Sequence, residues 1–223
     1  VQVGSGMAGD EGLAQDTIFQ DVAHALWSLP IPKWQDIRPE PLDAEQIDQG
    51  RDLFVDLCAD CHGTYEGPDA NYPSTVISAA EVGTDPVRAD RLGPQEADAI
   101  NTLMADPNHP MTPTGGYLAP PLVGIWATAP YLHNGSVPDL AALLSPPQRP
   151  TLWQRQGSAP QDYDPVRVGW RYTTPAQPGD PNTVVGRTTY NTNLEGLSNA
   201  GHTYGAELDD TQRAALIEYL KTL

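Results

Sequence analysis

The chain has 223 residues, 29 acidic against 12 basic side chains, a formal charge of -17 at pH 7 and only 39% hydrophobic residues. That negative excess argues against nucleic acid or an anionic membrane surface as a partner, and no apolar run approaches the roughly 20 residues needed to cross a bilayer. The length fits one large domain, and 23 prolines with 20 glycines mean that much of it must be ordered loop.

Residues 1–15 are glycine-rich and read as a poorly tied tail. From Asp16 to Leu29 the residues Ile18, Val22, Ala25, Leu26 and Leu29 recur at helical spacing, with Asp16 as cap and Pro30 and Pro32 as the stop. Lys33 to Leu42 reads as an extended connector that completes an N-terminal extension, 1–42. Asp43 and Gln46 form a capping box for a second amphipathic helix, whose buried face is Ile47, Gly50, Leu53, Phe54 and Leu57. Gly50 is placed to let another helix approach closely, and Phe54 to fill the crossing. Helical spacing returns at Gly93–Met104 and Pro138–Leu144. A long excursion over 145–205, rich in proline, glycine and aromatics, predicts short strands around Val166–Tyr172 and Val184–Tyr190. The last helix starts at Leu208-Asp209-Asp210 and carries the broad apolar stripe Ala214, Ala215, Leu216, Ile217, Tyr219 and Leu220. It is the expected partner of the helix that begins at Asp43.

Cys58-Ala59-Asp60-Cys61-His62 uses both cysteines of the chain and has the spacing of a c-type haem attachment motif. In that chemistry the two thiols bond the macrocycle and the histidine becomes the proximal iron ligand. A thioredoxin-like pair would sit in a βαβ unit, and a structural zinc site would have two more cysteines or histidines nearby. Neither context is visible. The expectation is therefore one covalent haem c on a mainly α, cytochrome c-like domain, 43–223, with long ordered Pro/Gly-rich loops and short β-strands.

The stretch from Pro121 to Leu140, containing Trp126, Pro130-Tyr131-Leu132-His133-Asn134-Gly135-Ser136, resembles the bacterial di-haem cytochrome c peroxidase superfamily. The rubber-oxygenase-like branch is the nearer likeness, through Leu143-Leu144, Pro146-Pro147, Arg149-Pro150, Gly157, Tyr163-Asp164-Pro165, Val168-Gly169 and Asn199-Ala200-Gly201-His202-Thr203-Tyr204-Gly205. The resemblance runs from about Asp43 to Leu223 and implies the C-terminal haem domain of those proteins. Their N-terminal half carries another attachment motif and the reactive haem. That half is absent here or is supplied by a haem-containing partner subunit.

In the peroxidases a methionine fourteen positions after the histidine matching His133 closes the iron, and here that position is Pro147, which cannot ligate. In the oxygenase-like branch the Gly-His histidine takes the role, which points to His202. Met111 and His109 in a Pro-rich loop, Met104 on a helix, His24 and Met7 are the alternatives among the residues. The resemblance also brings His133 near the haem propionates or a domain interface, and Trp126 and Tyr131 to the haem edge or an electron route; packing is the competing role for each. The functional expectation is a single-electron carrier with two histidine ligands and a redox protein as partner, of basic surface to suit the charge. The alternatives are an electron-transfer part of a di-haem peroxidase or oxygenase, and a five-coordinate haem that binds a gas or peroxide. Haem attachment normally occurs outside the cytoplasm, so a periplasmic or otherwise exported chain is expected, either processed at its start or a piece of something longer.

Overall fold

A computed structural model describes residues 11–68, 70–104 and 110–223, so Met7 and His109 lie outside the described residues. The fold is mainly helical with short strands and long ordered loops, as the sequence predicts. Among the described residues no helix is long and apolar enough to cross a membrane.

The first helix, Glu11–Ser28, starts inside the expected tail. Asp16 is interior to it rather than its cap, because Glu11, Leu13, Ala14 and Gln15 are sound helix formers that carry it backward. Its C-terminal end does not bury the predicted apolar face: Val22 is 50% and Leu26 62% exposed. The expected extended connector contains a helical turn, Trp34–Ile37, where Lys33 donates its backbone N–H to Asp36 Oδ2 at 2.7 Å. Burial of Trp34 against Trp126, edge to face at 5.7 Å, explains the departure.

The helix Ala44–Leu57 begins where expected, with the Asp43 carboxylate accepting from the N–H groups of Glu45 and Gln46 at 3.0 and 3.2 Å. The reciprocal half of the predicted capping box is not made. The Gln46 amide donates to the Asp43 carboxylate, and the Asp43 N–H goes instead to Glu218 Oε1 on the last helix at 3.0 Å. That helix, Asp210–Leu220, has the full box: Asp209 Oδ1 accepts from Gln212 N, and Gln212 Oε1 accepts from Asp209 N. The two helices cross at Gly50, where a Cβ would lie 2.1 Å from the Ala215 carbonyl oxygen. Phe54 fills the crossing and packs on Tyr219, ring centroids 5.2 Å apart.

Between them, Val76–Ser78 pairs antiparallel with Gly116–Leu118, joined by the helices Ala79–Val82, Val87–Asp90 and Pro94–Met104. The predicted helix at 138–144 is shorter, Leu140–Leu143, capped by Asp139 through Ala142 N at 2.7 Å. Asp139 is itself buried and takes a bidentate pair from Arg167 at 2.7 and 3.0 Å. The 145–205 excursion folds around Leu152–Arg155, flanked antiparallel by Tyr172–Thr173 and Thr189–Asn191, with Tyr163–Asp164 paired to Gly169–Trp170. Val184–Thr188, predicted as strand, is a short helix capped by the Thr183 hydroxyl. Val184 and Val185 face solvent there, so no buried sheet face holds them extended. Trp153 anchors the excursion by stacking on Tyr190 and donating its indole N–H to Ser136 O at 2.9 Å.

Candidate functional site

The helix Ala44–Leu57 ends at Cys58, and one further turn, Ala59–His62, carries the motif. Gly63 closes that turn at φ +82°, where a Cβ would also strike the Asn71 carbonyl. His62 Nδ1 lies 2.8 Å from the carbonyl oxygen of Pro120. A carbonyl only accepts, so Nδ1 holds the proton and the lone pair stands on Nε2. Tyr65 supports the same turn, donating to His62 O at 2.6 Å and accepting from Leu122 N at 2.7 Å.

Cys58 and Cys61 are free thiols. Burial, with Cys61 adding, pushes the Cys58 thiol up to about 12, and burial, Asp60 and Glu81 raise Cys61. Thiols held neutral in this way do not suit a redox-exchange pair, which needs an accessible thiolate.

The thiols and His62 open onto a cavity of about 520 Å³, inside the roughly 300–1,000 Å³ range of ligand and cofactor pockets. Leu140, Leu143 and Leu144 form part of its wall and Leu216 and Leu220 of the last helix another part. His202 faces His62 within it, the ring centroids 6.2 Å apart and the planes at 62°. Burial, then the neighbouring His62 and Arg149, brings His202 down to about 4, so it is neutral at ordinary pH. Its Nδ1 is buried without a partner. Burial likewise lowers His62 against the raising effect of the Pro120 carbonyl. Two neutral imidazoles at this separation leave room for one metal between them. Among the described residues no group of three or more His, Cys, Asp or Glu is placed to hold an ion by itself.

His202 stands at φ +44° after Gly201 at φ +76°, and its N–H donates to Val82 O at 2.8 Å. Gly201 packs so closely on the Gly83–Thr84 peptide that a Cβ would lie 2.2 Å from Gly83 C. Arg149 secures this loop. Its guanidinium donates to the carbonyls of Ala142 and Leu143 on one side, and to those of Asn199, Gly201 and His202 on the other, at 2.6–3.3 Å. Burial lowers Arg149 to about 10, and among the described residues no carboxylate pairs with it.

Of the other expected site residues, His133 lines the cavity, stacked on Tyr117 at 4.0 Å between centroids. Tyr131 also lines it, its hydroxyl donating toward Ile125 O and Val168 O. Trp126 does not: it is buried behind the wall on Trp34, and its carbonyl accepts from the Tyr163 hydroxyl. Packing, the competing role, is what its surroundings provide. Met111 is 36% exposed and is tied by its backbone to Asn101, and His24 is exposed on the first helix; neither reaches the cavity. The contributions of Pro120, Tyr65 and Arg149 were missed by sequence reading. An arginine before a proline in a loop was visible, but its function is set by carbonyls about fifty residues away.

Residues 116–154 match the family described as RoxA-like, cytochrome c-like, which is a distant link to the cytochrome c superfamily and covers the His133 wall rather than the whole domain. Two uncharacterized proteins of Sinorhizobium fredii (strain NBRC 101917 / NGR234) are similar over most of the chain. One, y4iJ, is 28% identical over 260 residues, 87% of this chain and 41% of its own length. The other, y4iM, is 29% identical over 243 residues, 90% of this chain and 53% of its own length. The chain thus spans about half the length of the curated relatives it matches.

Proposed function

We propose that this chain is a mono-haem c-type cytochrome domain that transfers single electrons, with thioether bonds from Cys58 and Cys61 and with His62 and His202 on opposite faces of the iron. The observation that carries this reading is the approach of the two imidazoles to 6.2 Å between ring centroids in an apolar cavity that both cysteines also line. Metal–nitrogen bonds of roughly 2.0–2.1 Å to two opposed imidazoles put their centroids about 6 Å apart. Two histidines with no third ligand among the described residues suit a metal whose remaining positions a macrocycle would fill. When bound, the haem supplies a one-electron couple.

The rest is done by the chain. The Pro120 carbonyl orients the His62 ring and strengthens it as a donor through its other nitrogen. The leucines around the cavity exclude water, and the uncompensated Arg149 charge bears on the same site, both recognised levers on potential. With both imidazoles holding the iron, no position would be left for peroxide or dioxygen. Export to the periplasm follows from where haem attachment takes place, and the charge of -17 suits a basic redox protein.

Denatured protein should retain the mass of one haem, and the native ferric form should be low-spin. His202→Ala should become high-spin while keeping the covalent haem. A low-spin spectrum unchanged in that variant would refute the assignment of His202. Reduction by a basic donor should slow as salt screens the attraction, and cell fractionation should find the protein outside the cytoplasm. A second reading, an electron-transfer part of a di-haem peroxidase or oxygenase, is favoured by the relatives' greater length. Rapid peroxide turnover only when a second haem-containing partner is added would support it over the simple carrier.

A further inference from the structure

The cavity is apolar over most of its wall but not where Thr84, Arg88 and His133 contribute to it. Thr84 is 7% exposed, and its hydroxyl is buried with no partner. His133 Nε2 is buried and equally without a partner. A buried hydroxyl and imidazole left unpaired are destabilising, and in a folded protein such groups are ordinarily matched by something. Arg88 adds a cation, its Nη1 donating to the His133 carbonyl at 3.1 Å, and among the described residues no carboxylate pairs with it.

The arrangement is held rigidly. His133 is stacked at 16° on Tyr117, whose hydroxyl donates to Asp85 O at 2.6 Å and accepts from Ala89 N at 3.2 Å. A nearby buried carboxylate, Asp85, is already engaged by the N–H groups of Val87 and Ser198, each at 3.0 Å. Asp90 is the other acidic side chain felt by Tyr117. The Val82–Arg88 segment is also the platform for the His202 loop, through Val82 O and the Gly83–Thr84 peptide. Ligand loop and unpaired donors are therefore built on one piece of chain.

A hydroxyl, an imidazole and a guanidinium converging on one cavity call for an anionic acceptor, and the only anions a haem brings are its two carboxylates. We propose that Thr84 and Arg88, together with His133, form a carboxylate-binding subsite that receives the haem propionates. This rests on the haem reading above and assigns binding functions to Thr84 and Arg88 that the attachment motif and the axial histidines do not include.

The test uses the full chain matured with its haem, as wild type and as T84V, R88Q, R88K and the T84V/R88Q pair. The pair should keep wild-type covalent haem, read as mass, and a low-spin spectrum. Losing a cation and a donor beside the propionates disfavours the more negative reduced state. The reduced-to-oxidised ratio at fixed potential should fall about tenfold, a midpoint lower by about 59 mV for one electron. The apparent pKa of the proton coupled to reduction should rise, the propionate bands in the resonance Raman spectrum should shift, and R88K should restore most of each change. Should the pair be too unstable to mature, the single variants T84V and R88Q supply the readout, and propionate bands identical to wild type in both would count against the subsite. Variants that lose only thermal stability, with midpoint, its pH dependence and the Raman bands unmoved, would overturn the subsite and leave the haem reading standing. Wild type without covalent haem would overturn both.

Discussion

Two parts of the cavity wall are built by different physics. The helices Ala44–Leu57 and Asp210–Leu220 meet through a glycine notch and an aromatic filler, Gly50 against Ala215 and Phe54 against Tyr219. The part that carries His202 has no long helix. It is loop, held by one buried arginine that gathers carbonyls from 142–143 and 199–202. Non-directional apolar packing tolerates some repacking, whereas a hub of directional bonds to one guanidinium fails locally and at once when the hub is removed.

Truncation at the crossing should give the largest effect. Phe54→Ala should destabilise by about 3–5 kcal/mol in chemical denaturation, because Tyr65, Tyr219 and the helix backbones cannot close on the void. A loss below about 1 kcal/mol would mean that this wall is not the core of the domain. Arg149→Met comes next. It strands buried carbonyls at about 1–3 kcal/mol for each one left unsatisfied, so a net loss of at least about 2 kcal/mol is expected. Hydrogen exchange should rise at 199–202 and low-spin character should fall, while the two helices stay protected. Uniform loss of protection would erase the contrast between the walls.

Gly50→Ala should cost about 1–3 kcal/mol by forcing the helices apart, with the His202 loop unaffected. The smallest effect belongs to His133 in the chain before haem is attached, where its ordinary value of 6.5 is lowered by burial and Arg88 against the raising effect of Asp85. The unfolded chain then takes up a proton before the folded one does. Stability is full above the unfolded value of 6.5 and is lost as pH falls from there toward the lowered folded value. His133→Gln should flatten that part of the pH–stability curve. An unchanged slope would show that other groups carry it.

The helical wall was legible because its logic is local and repeated. Asp43 and Asp209 each sit one residue before an apolar face of period 3.6, and Gly50 stands at the one small position on that face. Where prediction failed, the deciding contact was remote. Trp34 turned a connector helical by burying itself on Trp126, and Glu218 displaced Gln46 from the Asp43 N–H across 175 residues. Val184–Thr188 has the composition of a strand but no buried face to hold it there.

What the sequence by itself determined is the attachment-type spacing of Cys58, Cys61 and His62, the two helices that frame it and the strongly acidic composition, since spacing, periodicity and charge are properties of the chain alone. Only the tertiary structure decided which histidine faces His62, that Trp126 stands behind the wall, and that Arg149, Thr84 and Arg88 serve the cavity. Those assignments depend on directional bonds and orphaned polar atoms between segments far apart in the chain, and no local pattern encodes where a loop's carbonyls will point once it is folded.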